Sequence, residues 1–387
     1  MSDEAYAAKV LPAAETARKL NPAVKLLGMI ETNLVAFDCR QVPWGNQLIQ
    51  RDGPRDQPGV KYGIFMSPET TKLFDAFSPY ADSVIRDKDG NAMYENYYTQ
   101  KPFVDLMVQP EIGNHRYQTF LRQIDLMTDK LGLNGVYIDQ FQPYIIGGFS
   151  ENRWDGHTVE LAPDGSIRRK RYSYALTGAP ARAAIIKKVH DKGGIVVTNG
   201  QPMSREEQNT GVFAFQEMEN DDVNPLKFLD AKPPECKWQT ISHLGSPIAL
   251  GIRPRRYAAQ GAKPEQYPRM LTKGIITALR NGLVYYYYTL DITADGPAAG
   301  STAICDNMFP FTPEELHEGW VRGKERIVTA VSGRYAVAGA KAPRVLYFNE
   351  RGFEQPDTFP VTGKPSDWTV EVKLNDWNEV AIIIVQN

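Results

Sequence analysis

From residue 1 to about residue 290, short runs of apolar, β-branched and aromatic residues alternate with segments whose apolar residues recur every three or four positions. The first pattern predicts strands and the second predicts amphipathic helices. Because strands that alternate with helices form a parallel sheet covered by those helices, the sequence predicts an α/β fold. The seven strand candidates are residues 24–33, 103–109, 135–141, 194–199, 212–219, 247–252 and 283–290.

The number of these units indicates a closed barrel. Seven strands and a helix near the start of the chain fit a (β/α)8 barrel whose first strand is missing or weak, and such a barrel takes about 250 residues. The chain has 387 residues, which leaves room for a second domain. We predict the barrel over residues 1–322, with insertions at about 34–100 and 142–178 whose hairpins turn at Asp89-Gly90 and Pro163-Asp164-Gly165.

The pattern changes towards the end of the chain. Helical periodicity fades after Asp291, and residues 323–387 contain short alternating segments separated by Gly, Pro and Asp. This region is predicted to be a small antiparallel β-sandwich. The segment Thr312-Pro313-Glu314-Glu315, which precedes it, has the form of a capped helix start.

Composition and absent motifs exclude several classes of protein. A formal net charge of −2 without runs of like charge argues against a nucleic-acid partner. No apolar stretch approaches the roughly 20 residues that cross a bilayer, and the first twenty residues predict a surface helix rather than an export signal. The compartment stays open because a leader can have been removed. Five dispersed histidines and the absence of P-loop, GxGxxG and GxSxG motifs predict no metal and no organic cofactor.

The predicted strands end in polar residues, which meet at one edge of a parallel sheet. Asp139 ends the strand in GVYIDQF, and Glu217 and Glu219 lie on one face of GVFAFQEMEND. Two carboxyl groups that flank an acetal carbon are what glycoside hydrolysis requires, one as acid and the other as nucleophile or base. Asp139 and Glu217 are therefore the predicted catalytic pair, with Glu219 as a substrate contact. The alternatives are that Asp139 caps a helix or braces a loop, and that the two glutamates form a surface acidic cluster.

Further polar residues at the strand ends are candidates for binding a sugar. Asn199 can donate its amide to a hydroxyl or belong to an Asn-Gly turn, and Glu31 and Asn33 can bind a hydroxyl or brace the acid. The remaining substrate-binding candidates near these strand ends are Tyr137, Gln140, Gln201 and Arg253.

The second insertion contains Trp154, Asp155 and His157, which together offer an aromatic plate and hydrogen-bonding groups. Sugar rings have apolar faces and hydroxyl rims, so this combination suits a substrate contact. A structural cluster that anchors the insertion is an equal alternative.

The segments GVYIDQF, IVVTNGQ, FAFQEME and DWNEVAIIIV resemble the (β/α)8 glycoside hydrolases with a C-terminal β domain. The layout is similar to α-galactosidase and α-glucosidase-like retaining enzymes, and to bacterial glycoside hydrolase-like proteins without an assigned activity. The resemblance implies that Asp139, at the end of strand four, is the nucleophile and that Glu217, after strand six, is the acid/base. Glu217 stands where those enzymes usually have an aspartate.

The sequence thus predicts a hydrolase of an oligo- or polysaccharide. Two alternatives stay open. A glycan-binding barrel without catalysis would keep the aromatic cleft and use its carboxylates for structure. A hydrolase or lyase of an acidic polysaccharide would surround its substrate with Arg153, Arg253, Arg255 and Arg256, because a guanidinium fork matches carboxylates and sulfates. The oligomeric state is not given by the sequence.

Overall fold

The structure is a computed structural model. It describes residues 3–20, 25–42, 45–48, 64–95, 102–142, 149–200, 202–217, 248–252, 267–280, 284–287, 304, 307–308, 310–356 and 358–387. The chain divides into two compact units, Met1–Ala214 and Phe215–Asn387.

The first unit contains helices and two kinds of sheet. Its α-helices are α1 (Asp3–Leu20), α2 (Pro68–Phe77), α3 (His115–Asp125), α4 (Tyr174–Asp191) and α5 (Arg205–Gln208). Its strands are β1 (Leu27–Glu31), β2 (Leu34–Asp38), β3 (Ile64–Phe65), β4 (Met93–Glu95), β5 (Phe103–Met107), β6 (Gly135–Asp139), β7 (Phe149–Ser150), β8 (Val159–Leu161), β9 (Ile167–Lys170), β10 (Tyr172–Ser173), β11 (Ile195–Asn199) and β12 (Phe213–Glu217), within which the division between the units falls.

The parallel sheet of this unit has β6 between β1 and β11, with β12 next to β11. Helices α1, α3 and α4 cover one of its faces, where Ile30, Ile138 and Val196 pack against Phe120 and Ile186. The predicted alternation of strands and helices is confirmed here. Helix α3 continues through a π-helical turn at Leu126–Lys130, and the chain then reverses at Gly132, whose φ of 59° favours glycine.

The first insertion forms a sheet of its own, with strand order β2-β5-β4-β3 and antiparallel pairing. The prediction of a parallel barrel strand at residues 103–109 is therefore wrong, because β5 pairs with β2. The reason is topological: only two residues separate β1 from β2, so the chain leaves the parallel sheet at once and returns through β5. The amide of Val108 donates to the Asn33 carbonyl at 2.8 Å and joins the two ends of this excursion.

The described residues do not form a closed barrel, so the predicted (β/α)8 barrel is not confirmed by them. They form a mixed α/β fold with a parallel sheet and several antiparallel sheets. The two predicted hairpin turns are confirmed. Arg86 pairs with Ala92 around Gly90, and β8 pairs with β9 around Gly165.

In its described residues, the second unit has one long helix and mostly antiparallel strands. The described elements are β13 (Ile248–Ile252), α6 (Tyr267–Arg280), β14 (Val284–Tyr287), β15 (Pro313–His317), β16 (Trp320–Gly323), β17 (Arg326–Thr329), β18 (Gly333–Val337), β19 (Lys341–Phe348), β20 (Glu354–Gln355), β21 (Val361–Lys364), β22 (Asp367–Val372) and β23 (Val380–Gln386). Strands β13 and β14 are parallel neighbours, as the sequence pattern predicted.

Strands β15 to β23 form two antiparallel sheets, ordered β15-β16-β17-β23-β19-β20 and β18-β22-β21. Residues of both sheets share one buried apolar cluster, which includes Ile327, Tyr335, Val370 and Ile383. Two of the strands begin before residue 323, and the predicted helix start at Thr312–Glu315 is wrong. Pro313–His317 is a strand because it pairs with Trp320–Gly323 across a turn at Gly319, and this pairing outweighs the local capping pattern.

Within the described part of the chain, no helix has the length and apolar character that crossing a bilayer requires.

Candidate active site

Asp139 is the last residue of β6, at the carboxyl edge of the parallel sheet. Val136 and Ile138 are fully buried against the helices, so alternation places Tyr137 and Asp139 on the opposite face. The Tyr137 hydroxyl donates to Asp139 Oδ1 at 3.0 Å, and the Asn199 amide nitrogen donates to the same oxygen at 2.8 Å. The structure thus brings together three residues that the sequence nominated, and two donors orient the Asp139 carboxylate.

Glu31 is the neighbour of Asp139 on the adjacent strand. The two residues are Cα partners in the parallel pairing of β1 with β6, where strands lie about 4.8 Å apart. Burial, the negative charge of Asp139 and a hydrogen bond between the two carboxyl groups raise the pKa of Glu31 to about 9, and Arg116 offsets this only in part. Glu31 is therefore a neutral acid at pH 7, and its hydroxyl donates to the Asp139 carboxylate.

Arg116 supports the backbone behind this pair. Its side chain is buried, its Nε donates to the Thr32 carbonyl at 3.1 Å, and its Nη2 donates to the Glu31 carbonyl. Burial lowers the pKa of Arg116 to about 10, so the guanidinium stays charged at pH 7. Sequence reasoning missed this residue. The signal was an arginine that shares the apolar helix face of Phe120 and Ile124 at a spacing of four.

Asn33 and Gln140 shape the turn that follows Asp139. The buried Asn33 amide nitrogen donates to the carbonyls of Gln140 at 2.8 Å and Gln142 at 3.1 Å. Gln140 has φ of 47°, a left-handed conformation that non-glycine residues seldom adopt, so the turn is strained and depends on such contacts. These contacts brace the turn that follows Asp139, and both roles predicted for Asn33 stay predictions. The substrate contact predicted for Gln140 also stays a prediction.

A buried ion pair lies behind the same turn. The side-chain nitrogen of Gln142 donates to Glu207 Oε2 at 3.1 Å, and Arg182 Nε donates to Glu207 Oε1. Glu207 also accepts from the backbone amide of Met203 at 2.7 Å and closes the capping box of α5 with Ser204. The Ser-x-x-Glu spacing is readable in the sequence and was missed.

Trp154, Asp155 and His157 lie in the second insertion. Asp155 accepts hydrogen bonds from the amides of His157, Thr158 and Ser173, and together with the Thr158 hydroxyl these hold the pKa of Asp155 well below its usual range against the opposing effect of burial. Trp154 is half exposed and donates its Nε1 to the Thr158 carbonyl at 3.1 Å. Asp155 thus anchors the loop, while the substrate contacts predicted for these three residues stay predictions.

The remaining candidates are described in part or not at all. Glu217 is the last residue of β12, and its side chain lies outside the described part of the chain. Gln201, Glu219 and Arg253 also lie outside the described residues. The described residues contain no group of three or more His, Cys, Asp or Glu side chains that could hold a metal ion.

A second carboxylate pair, which the sequence did not reveal, is buried in the antiparallel sheet of the first unit. Glu95 on β4 and Asp105 on β5 are Cα partners, and both are buried. Neither carboxyl oxygen of Glu95 has a hydrogen-bond partner among the described residues. Burial and the charge of Asp105 raise the pKa of Glu95 to about 7.

Glu95→Gln is expected to flatten the fall in stability with rising pH. Because the pKa of Glu95 is raised on folding, the folded state holds a proton that the unfolded state releases between about pH 4.5 and about pH 7. Stability is therefore lost as pH rises through this window, by up to about 3 kcal/mol. The measurement is the free energy of unfolding of the wild type and the variant in urea at several pH values. The contributions of the other titrating groups are the same in both proteins and cancel in the difference. An identical slope in both would contradict this assignment.

The comparisons with known proteins give structural neighbours only. No protein-family model matches this sequence, and the search of curated proteins found no match. A GH27 β-L-arabinopyranosidase from Geobacillus stearothermophilus is similar at a TM-score of 0.37 and 12% identity, covering 97% of this chain and 76% of that chain. An α-amylase from Lactobacillus plantarum is similar at a TM-score of 0.31 and 12% identity, covering 80% of this chain and 74% of that chain.

A GH30 endoxylanase from Clostridium papyrosolvens C71 is similar at a TM-score of 0.24 and 9% identity, covering 71% of this chain and 85% of that chain. All three neighbours are named as glycoside hydrolases. All three TM-scores lie below 0.5, so this similarity carries no argument about function.

Proposed function

We propose that this protein is a glycoside hydrolase that cleaves O-glycosidic bonds of an oligo- or polysaccharide, with Asp139 at the reacting centre. The observation that carries the proposal is the convergence of Tyr137, Asn199 and the neutral acid Glu31 on one carboxylate at the carboxyl edge of a parallel sheet. A carboxylate held in one orientation can attack an anomeric carbon or stabilise the positive charge that develops there.

Glu217 is the proposed general acid/base. Glu31 does not fit that role, because its carboxyl group is hydrogen-bonded to Asp139, whereas the two catalytic carboxyls of a retaining enzyme lie about 5 to 5.5 Å apart. In the proposed reaction Glu217 gives its proton to the leaving oxygen as the glycosidic bond breaks. If Asp139 is the nucleophile, it bonds to the anomeric carbon, and water activated by Glu217 then displaces it. Carboxyls farther apart would instead indicate inversion by a single attack of water.

The proposed role of Glu31 is to hold a proton beside Asp139. As a neutral donor it orients the Asp139 carboxylate without adding charge to the site. When Asp139 leaves the anomeric carbon in the second step, the same hydrogen bond stabilises the returning negative charge. Arg116 holds the Glu31 backbone in place by donating a hydrogen bond to the Glu31 carbonyl.

The proposal is tested by a reducing-end release screen over neutral and acidic oligosaccharides, with the wild type, Asp139→Asn and Glu217→Gln. Cleavage of one glycan by the wild type, and its loss in both folded variants, is the expected result. Glycan binding without cleavage would overturn the hydrolase and favour the glycan-binding alternative.

Glu31→Gln is expected to remove an alkaline limb from the pH profile. In the wild type, kcat/KM should fall as pH rises through about 9, because ionised Glu31 places a second negative charge beside Asp139. Glutamine keeps a neutral donor at the same position and cannot ionise. The measurement is kcat/KM between about pH 7 and about pH 10.5.

Tyr137→Phe is the control for this profile, because the Tyr137 hydroxyl also faces Asp139 and is itself titratable. We expect this variant to keep the alkaline limb. A limb that persists in Glu31→Gln and disappears in Tyr137→Phe would assign the titration to the tyrosine and contradict the role of Glu31.

A further inference from the structure

The turn at residues 140–142 follows Asp139 directly and is buried. Gln140 is 7% exposed, Phe141 1% and Gln142 2%. Gln140 also has φ of 47°, and a non-glycine residue keeps such a conformation only where its surroundings fix it. The shape of this turn, and with it the end of β6, is therefore set by the contacts that the turn makes.

Asn199 connects the turn to the Asp139 carboxylate. Its carbonyl accepts a hydrogen bond from the backbone amide of Phe141 at 3.0 Å, and its side-chain nitrogen donates to Asp139 Oδ1 at 2.8 Å. The same residue thus contacts the turn with its backbone and the carboxylate with its side chain. A displacement of the turn reaches Asp139 both along the chain and through Asn199.

Gln142 connects the turn to a buried carboxylate. Its side-chain nitrogen donates to Glu207 Oε2 at 3.1 Å. Other donors also bind this carboxylate: Arg182 donates to Oε1, and the backbone amides of Met203 and Ser204 donate to Oε2 at 2.7 and 3.2 Å. Because these bonds satisfy Glu207 without Gln142, the contact fixes the turn more than it stabilises the ion pair.

The Arg182–Glu207 ion pair is a fixed point behind the turn. Both side chains are buried, and Arg182 lies on α4, which packs against the parallel sheet. Its Nη2 donates to the Ala175 carbonyl, and its guanidinium carbon lies 5.9 Å from the centre of the Phe141 ring. A methyl group at Gly178 would lie only 2.6 Å from Arg182 Nη1, so the guanidinium fills the space that this glycine leaves. Arg182 is thus held by α4 while it contacts the turn.

From these contacts, we infer that Gln142 is a positioning residue for Asp139, which holds the turn at residues 140–142 against the Arg182–Glu207 pair and so sets the direction of the Asp139 carboxylate. Gln142 is buried, so it acts through the turn and Asn199 rather than on a substrate. The sequence pattern nominated neither Gln142 nor the ion pair. The effect on hydrolysis rests on the proposed function, whereas the effect on the position of Asp139 does not.

The first test is the steady-state kinetics of Gln142→Met on the glycan that the wild type cleaves. Methionine has a similar length and volume but cannot donate to Glu207. We expect kcat to fall by about tenfold or more, because a displaced carboxylate no longer meets the anomeric carbon in the reactive geometry. KM should stay within about twofold, since the substrate contacts are unchanged. Thermal melting checks folding, and Gln142→Asn, whose amide is one methylene short of Glu207, replaces a variant that does not fold.

Thr71→Val is the matched control. Thr71 is also buried in the first unit, and its hydroxyl oxygen accepts a hydrogen bond from the Ala92 amide at 3.2 Å, next to the separate sheet of the first insertion. This variant removes one buried hydrogen bond and keeps the shape of the side chain. Its kcat should stay within about twofold of the wild type.

The second test follows the Glu31 carboxyl group and needs no substrate. Burial, the charge of Asp139 and the hydrogen bond between the two carboxyl groups raise the pKa of Glu31 to about 9, and Arg116 offsets this in part. Carbon-13 NMR of protein labelled at the glutamate carboxyl carbons records this titration, and Glu31→Gln identifies its signal. If Asp139 moves away from Glu31, the pKa of Glu31 falls. We therefore expect a titration midpoint lower by about one pH unit in Gln142→Met and the wild-type midpoint in Thr71→Val.

The positioning role and the hydrolase fail separately. Where a glycan is cleaved, the positioning role requires both changes in Gln142→Met and neither in Thr71→Val, and any other combination overturns it while the hydrolase stands. If the wild type cleaves no glycan while the Glu31 midpoint falls in Gln142→Met alone, the hydrolase proposal fails and the positioning of Asp139 stands. An unchanged midpoint without cleavage overturns both.

Discussion

Asp139→Asn is expected to lower kcat/KM for glycan hydrolysis by at least about two orders of magnitude, while the melting temperature changes little. Asparagine has the same shape and can still accept from Tyr137 and Asn199, so the local structure should persist. It cannot attack an anomeric carbon or stabilise its positive charge as a carboxylate does. The measurement is kcat/KM of both proteins on the glycan that the reducing-end screen identifies. A thermal melt of the variant checks that it is folded.

Asp75→Asn is the control for this loss, because Asp75 forms a surface ion pair with Arg86 and takes no part in the site. It should keep wild-type kinetics. An Asp139→Asn variant that keeps activity within a few-fold of the wild type would mean that Asp139 only braces the strand end.

Glu207→Gln is expected to lower the free energy of unfolding by about 3 to 5 kcal/mol. The side chain of Glu207 is fully buried, and that of its partner Arg182 is 1% exposed. Removing one charge leaves the other buried and without compensation, which costs far more than the pair itself contributes. The variant also weakens the contact to Gln142, so the turn after Asp139 should loosen.

Denaturant unfolding measures this loss, and Asp191→Asn is its control. Asp191 pairs with Lys187 on the surface, where both side chains are more than half exposed, so its replacement should cost less than about 0.5 kcal/mol. A Glu207→Gln variant that loses no more than this control would contradict the assignment of a buried, charged pair.

Local sequence pattern was sufficient for the parallel core of the first unit and for part of the site. GVYIDQF and IVVTNG predicted neighbouring strands that end in Asp139 and Asn199, and the contact between these two residues follows from the common carboxyl edge of parallel strands. The apolar periodicity of α3 and α4 was equally clear, because both helices bury one face against that sheet.

The pairing partner of β5 could not be predicted from the local sequence pattern. An apolar β-rich run has the same composition in a parallel and in an antiparallel sheet, and only the short link from β1 to β2 sends this strand into a separate sheet. At Pro313–His317 a capping pattern favoured a helix, whereas the observed strand depends on pairing with β16. Tertiary contacts thus chose the partner of β5 and, at Pro313–His317, outweighed local propensity.

The protonation state of Glu31 could not be predicted from the sequence either. The pattern placed Glu31 at a strand end, but its neutral form follows from its burial and from the register that sets it opposite Asp139. The contacts of Arg116 are also long-range, since its side chain on α3 binds the carbonyls of Glu31 and Thr32 at the end of β1. Such properties belong to pairs of residues far apart in the chain.

The central claim, that the Asp139 carboxylate acts at the anomeric carbon, is tested most directly by azide rescue of Asp139→Ala on an aryl glycoside of the cleaved sugar. Azide is a small nucleophile that can occupy the space left by the missing carboxylate. The account predicts that added azide raises the rate of the variant by about tenfold or more and yields a glycosyl azide. A folded Asp139→Ala variant that hydrolyses the glycoside at the wild-type rate, or that azide leaves inactive, would contradict it.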